Sequence, residues 1–162
     1  MPKKAYLDIE TTGLNPANSE LTVIGIMIED DEEQEIIQLF GKDITAEELL
    51  DYLNGVDTLY TYNGKRFDLP FIKAKLGIDL EKIFRHKDLM YSCWKNNLYG
   101  GLKVVERNLG IGRTITDVDG YKAVQLWRNY ERYGSYESLE KLLEYNKEDV
   151  LNLKVLREML GV

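Results

Sequence analysis

Apolar and polar positions alternate along the first third of the chain and then shift to a helical period. The stretches "KKAYLDIE", "LTVIGIMIED" and "EIIQLFGK" read as three strands. The acidic run Glu29 to Glu35 joins the second to the third and is expected in a hairpin turn, as solvated loop charge. "ITAEELLDYLNG" predicts a short helix with Thr45 as N-cap, Glu48 at the capping-box position and Gly55 past its end. "VDTLYTYN" is a fourth strand, and "FDLPFIKAKLGI" opens a helix in whose first turn Pro70 is tolerated. Helices are predicted over "HKDLMYSCWKNN", "GLKVVERNLGI", "GYKAVQLWRNYERYG" and the long "SYESLEKLLEYNKEDVLNLKVLREML", with Ser135 or Ser138 as the last cap. "KIFRHKDLM" leaves room for a fifth strand. No repeat or linker interrupts the order. The expectation is one α/β domain over residues 1–162: three layers, with an antiparallel hairpin at one side of a mixed five-stranded sheet flanked by helices.

Composition narrows the class. With 21 basic and 28 acidic residues the formal charge is −7, which argues against a passive basic nucleic-acid-binding module but not against an enzyme with a cation-filled acidic site. The single cysteine, Cys93, excludes a disulfide framework and a cysteine-based zinc site, and is expected in the core. No apolar run approaches the length of a bilayer span, and the N-terminus enters strand pattern without a signal-peptide core. No membrane association and a cytoplasmic location are therefore expected.

The first strand carries the chemistry. Alternation puts Asp8 and Glu10 on one face and Leu7 and Ile9 on the other. Two like charges at the end of a core strand are costly without a cation. Asp68 follows a strand and the turn-forming "NG", in the first turn of a helix, beyond the carboxyl end of a strand where open α/β sheets place their sites. Asp149 lies four residues after Tyr145, so both share a face of the last helix. Four oxygen-donor acids from three elements suit Mg²⁺ or Mn²⁺. Two such ions about 3.5–4 Å apart, bridged by Asp8, can hold the attacking and leaving oxygens of a phosphoryl displacement, with the Tyr145 hydroxyl orienting the water.

"DIETTGL", "NGKRFDLPFI" and "YNKED" resemble, in order and spacing, the three exonuclease motifs of the DEDD superfamily, which has the ribonuclease H-like fold. The Tyr-x-x-x-Asp form of the third resembles the tyrosine subgroup. "GLKVVERNLGI" and the helices after it resemble the YprB-like branch. The resemblance implies a metal-dependent 3′→5′ exonuclease on single-stranded DNA or RNA ends that releases nucleoside 5′-monophosphates. It implies that Asp8, Glu10 and Asp149 hold one divalent ion. Asp8 and Asp68 would serve a second, and Tyr145 would position or deprotonate the water. It further implies that Thr11, Thr12, Gly13 and Leu14 contact the terminal nucleotide and that Asn63 and Phe67 line the path of the next. The alternative is a catalytically weak end-binding module, or an accessory module for repair or proofreading.

Outside the motifs, Lys65 and Arg66 flank Asp68 and are expected to meet phosphates. Lys103, Arg107, Arg113, Lys122 and Arg128 read mainly as surface charge, and Tyr91, Trp94, Tyr99, Tyr121 and Trp127 mainly as core aromatics. His86 reads as structural or surface, and Asp88 as a helix cap or a support for the site.

Overall fold

The alternating strands form as their pattern requires. In a computed structural model, which describes residues 2–162, β1 (Lys3–Thr11), β2 (Leu21–Glu29) and β3 (Gln34–Phe40) make an antiparallel meander. The acidic run closes the β2–β3 turn, where the Asp30 carboxylate accepts from the Glu32 and Glu33 N–H groups, both at 2.9 Å. β4 (Val56–Thr61) and β5 (Arg85–Asp88) add in parallel beyond β1, giving the order β3-β2-β1-β4-β5.

Seven helices accompany the sheet among the described residues. α1 (Ala46–Tyr52) is capped by the Thr45 hydroxyl, which accepts from the Glu48 N–H at 3.1 Å. α2 (Asp68–Leu76) and the single turn α3 (Leu80–Ile83) follow β4. α4 (Leu89–Trp94) is shorter than the helix expected from His86 onward. Residues 85–88 pair with β4 instead, His86 bonds Thr61 Oγ1 at 2.8 Å and Glu81 Oε1 at 3.1 Å, and the Asp88 carboxylate caps the helix through the Met90 N–H at 3.0 Å. α5 (Leu102–Leu109), α6 (Gly120–Tyr133) and α7 (Tyr136–Leu160) complete the chain, with Ser135 as the cap of α7. No helix is long and apolar enough to cross a membrane among the described residues.

The pleat sorts the strands into two faces. Leu7, Ile9, Ile24 and Ile26 pack against α1, α2 and α3. Tyr6, Met27 and Tyr60 pack against α4, α5 and α7, with Cys93 buried among them. Val23 meets α6 and the N-terminal half of α7 through Trp127, Leu142 and Tyr145. On this second face the register pairs Tyr6 with Met27, Asp8 with Gly25 and Glu10 with Val23, so both acids look toward α7.

Gly25 decides how closely α7 can approach. A Cβ built there would lie 2.0 Å from Asn146 Oδ1 and 3.0 Å from Val150 Cγ2. The missing side chain lets Asn146 reach the sheet, where its Nδ2 donates to the Asp8 carbonyl at 3.2 Å and to Asp8 Oδ2 at 3.3 Å. Its Oδ1 accepts from Gln38 Nε2 at 2.9 Å. The far end of α7 is fixed separately. Glu29 accepts from the Tyr6 hydroxyl at 2.7 Å and pairs with Lys154 at 3.0 Å, and Arg157 Nε donates to the Tyr6 oxygen at 2.6 Å. Gly25→Ala should therefore cost about 1–3 kcal/mol by overpacking. Urea denaturation reads this as a lower midpoint, and a wild-type midpoint would show that α7 gives way freely.

Candidate active site

β1 and α7 bring three carboxylates to one point. One oxygen from each of Asp8, Glu10 and Asp149 lies within 4.8 Å of the other two. Asp68 stands beside this trio. β1 stays paired with β4 only as far as Tyr6 opposite Tyr60. Beyond that point the Ile9 N–H donates to Asp68 Oδ2 at 3.2 Å, so the head of α2 takes the place of the missing strand.

The approach of the acids is visible in their protonation. Burial, then the charges of Asp149, Glu10 and Asp68, raises the Asp8 carboxyl well above its ordinary value. Burial and Asp149 do the same to Glu10, opposed by the nearby Lys103 ammonium. Asp68 is pushed up to about 7 by burial, against the two backbone N–H groups that favour its charged form. An oxygen-only donor set under this much mutual repulsion fits a hard divalent cation such as Mg²⁺ or Mn²⁺.

Part of the counter-charge is built into the protein, and this corrects the expectation for two basic residues. Arg113 is not solvated surface charge. Its buried guanidinium donates to Asp149 Oδ1 and forks onto the buried Glu106 at 2.6 and 3.1 Å. Burial works against its charge, but Glu106 and Asp149 outweigh it and hold the group above its ordinary value. Lys103 donates to the Tyr145 hydroxyl, with its ammonium 4.5 Å from the centre of that ring. Tyr145 is buried, and burial together with Asp149, Glu10 and Asp8 raises its pKa, so the phenol stays neutral.

The loop before Asp68 is held from below by Asp88. Its carboxylate accepts from the Asn63 N–H at 2.8 Å and the Lys65 N–H at 3.2 Å, as well as capping α4. Asp88 thus serves both as a cap and as a support for the site. Asn63 has φ +62 and Gly64 follows it, where a Cβ would meet Thr61 Oγ1 at 2.1 Å. Lys65 and Arg66 are exposed, and the Arg66 guanidinium lies over the rings of Tyr91 and Trp94 at 5.7 and 5.5 Å. Phe67 is half-buried against Phe71.

Past the end of β1, the Thr11 hydroxyl donates to the Gly13 carbonyl at 2.7 Å and Thr12 Oγ1 accepts from the Glu20 N–H at 2.8 Å. This turn leaves Leu14 85% exposed. Trp127 is core, whereas Tyr99 and Tyr121 are exposed.

A family model described as the RNase_H superfamily matches residues 5–161. The chain belongs to the RNase_H superfamily. Within it, the chain is 30% identical to the uncharacterized protein YprB of Bacillus subtilis over 91% of its own length, in line with the YprB-like resemblance, and spans 39% of that relative. It is 26% identical to the uncharacterized protein MJ0365 of Methanocaldococcus jannaschii, covering 91% of this chain and 89% of that one. Solved structures share the fold. NrnC of Brucella melitensis with bound Mg²⁺ superposes with a TM-score of 0.64 at 24% identity, over 98% of this chain and 71% of that one. A family B DNA polymerase from Pyrobaculum calidifontis gives 0.75 at 16% identity, over 99% of this chain and 25% of the polymerase. The mixed five-stranded sheet with helices on both faces is the ribonuclease H-like fold the motifs implied.

The raised carboxyl pKa values have a consequence for this RNase_H-superfamily domain without metal. The folded state keeps protons that the unfolded chain has lost, so the stability contributed by these groups is highest below about pH 4 and falls as pH rises through about 7. Melting temperatures in chelator from pH 5 to 8 should show this decline, and Asp68→Asn should flatten it. Equal slopes for the wild type and Asp68→Asn would remove Asp68 as a source of it.

Proposed function

We propose that the chain is a metal-dependent 3′→5′ exonuclease working as one domain over residues 1–162. It would hydrolyse phosphodiester bonds at single-stranded DNA or RNA ends and release nucleoside 5′-monophosphates. The observation that carries this reading is the convergence of Asp8, Glu10 and Asp149 oxygens within 4.8 Å, with Tyr145 one turn away on α7. The Mg²⁺ bound by the NrnC neighbour supports the choice of ion.

Asp8, Glu10 and Asp149 would hold one divalent ion and Asp8 with Asp68 a second, and when bound these ions stabilise charge on the attacking and leaving oxygens. Water adds to phosphorus, the bond to the 3′ oxygen of the preceding nucleotide breaks, the proton lost by water passes to solvent, and the departing 3′ oxygen takes a proton from solvent to leave a 3′-hydroxyl. A neutral Tyr145 positions this water by hydrogen bonding and does not act as a phenolate base. The Lys103 ammonium donates to its oxygen and leaves the phenolic proton free for the water.

The turn Thr11, Thr12, Gly13 and Leu14 would seat the terminal nucleotide, with exposed Leu14 against its base. Asn63 and Phe67 would line the path behind it, with Lys65 and Arg66 meeting phosphates. The alternative of a catalytically weak end-binding module has less support, because no member of the acid set is missing.

The test is digestion of a 5′-labelled single strand with Mn²⁺ or Mg²⁺. The wild type should shorten it stepwise from the 3′ end. Asp8→Ala and Asp149→Ala should each lose about 10²–10³-fold or more in rate. Tyr145→Phe should lose about 10²-fold through a misplaced water. Equal degradation by the two acid variants, or loss of the label in the first step, would overturn the reading.

A further inference from the structure

Arg113 lies outside all three motif segments, in the loop between α5 and α6, yet it reaches the centre of the site. Its position is fixed from several sides. Glu148, the neighbour of Asp149, accepts from the Thr114 and Ile115 N–H groups at 2.8 and 3.0 Å, which clamps the backbone after Arg113. Asn152, one turn beyond Asp149, donates to the Gly112 carbonyl at 3.3 Å and clamps the backbone before it. The same Asn152 nitrogen donates to Glu106 Oε2 at 2.7 Å and so fixes the acid on which the guanidinium forks. The fork uses Nε and Nη2, and Nη2 also binds Asp149 Oδ1. Residues on both sides of Asp149 along α7 thus build the cradle that aims Arg113 at Asp149.

Net charge alone does not explain this arrangement, because the guanidinium is shared between Glu106 and Asp149 and Glu106 offsets part of its charge. What the pair adds is direction. A guanidinium presents donors in a rigid plane, so a fork on Glu106 sets the angle at which the remaining N–H meets Asp149.

We propose that Arg113 is a positioning residue that grips Asp149 by Oδ1 and reserves Oδ2 for a divalent cation shared with Asp8 and Glu10. The proposal rests on the metal-dependent reading of the site.

Two variants keep the formal charge and remove the grip: Arg113→Lys, which cannot fork, and the double variant Arg113→Met with Glu106→Gln, which removes the guanidinium together with the acid it forks on. Mn²⁺ binding by titration calorimetry is the primary readout, with melting temperature in chelator reporting the fold. Both variants should melt cooperatively and bind Mn²⁺ about 10–100-fold more weakly than the wild type, the usual loss when a group supporting a metal ligand is removed. Strand degradation should be lost at low Mn²⁺ and regained as Mn²⁺ is raised, with the KM for the strand unchanged. Wild-type Mn²⁺ affinity in either folded variant would overturn the proposal. So would unfolding of Arg113→Lys, which would assign the residue to the fold alone. Absence of Mn²⁺ binding by the wild type would instead refute the metal-dependent reading itself.

Discussion

Three carboxylates gathered at one point set the terms for this domain. Two unit charges about 4 Å apart repel by about 4 kcal/mol at the effective dielectric of a protein surface, and more as water is excluded. Asp8, Glu10 and Asp149 come within 4.8 Å of one another, with Glu10 and Asp149 buried and Asp8 half-buried. Such a cluster persists only if the surrounding fold holds it and something supplies positive charge or protons. Asp8, Glu10 and Asp68 accept the second remedy, with carboxyls that hold protons far above the usual range. Asp149 receives the first, from Arg113.

The supports are distributed among the acids. Gly25 and Asn146 let α7 approach the sheet and fix Asp8. The end of β4 pairing leaves the Ile9 N–H to draw in Asp68. Asp88 holds the loop that delivers Asp68 to that place. The Glu29, Tyr6 and Arg157 cluster secures the far end of α7, so the helix carrying Tyr145 and Asp149 is fixed at both ends. The site is the point where the edge of a sheet pairing, a helix start and a long helix meet, and none of these elements makes it alone.

Most of the frame was legible in the sequence because it is written in local periodicity. Alternation named β1, β2 and β3, and "TAEE" and Ser135 marked helix starts that the hydroxyls do cap. Asp8 and Glu10 stood out because charge in a strand conflicts with burial. Arg113 did not, since it lies in a loop after α5 where no period assigns a side chain to a face. Glu106 and Asn146 carry a readable sign. Glu106 falls four residues after Leu102, on the stripe of Val105 and Leu109, and Asn146 falls four after Leu142. A polar residue on the buried stripe of a helix needs a partner, and here the partners are the site itself. β5 is blurred because all four of its residues are polar and take their order from His86 and Asp88 contacts distant in sequence.

The central claim is that these acids are held together to receive divalent cations. A crystal grown with Mn²⁺ and measured for anomalous scattering tests it most directly. The account predicts one strong peak at bonding distance, about 2.0–2.2 Å, from Asp8, Glu10 and Asp149, and a second on the side of Asp8 that faces Asp68. Well-ordered carboxylates in the same positions with no anomalous peak between them would contradict it.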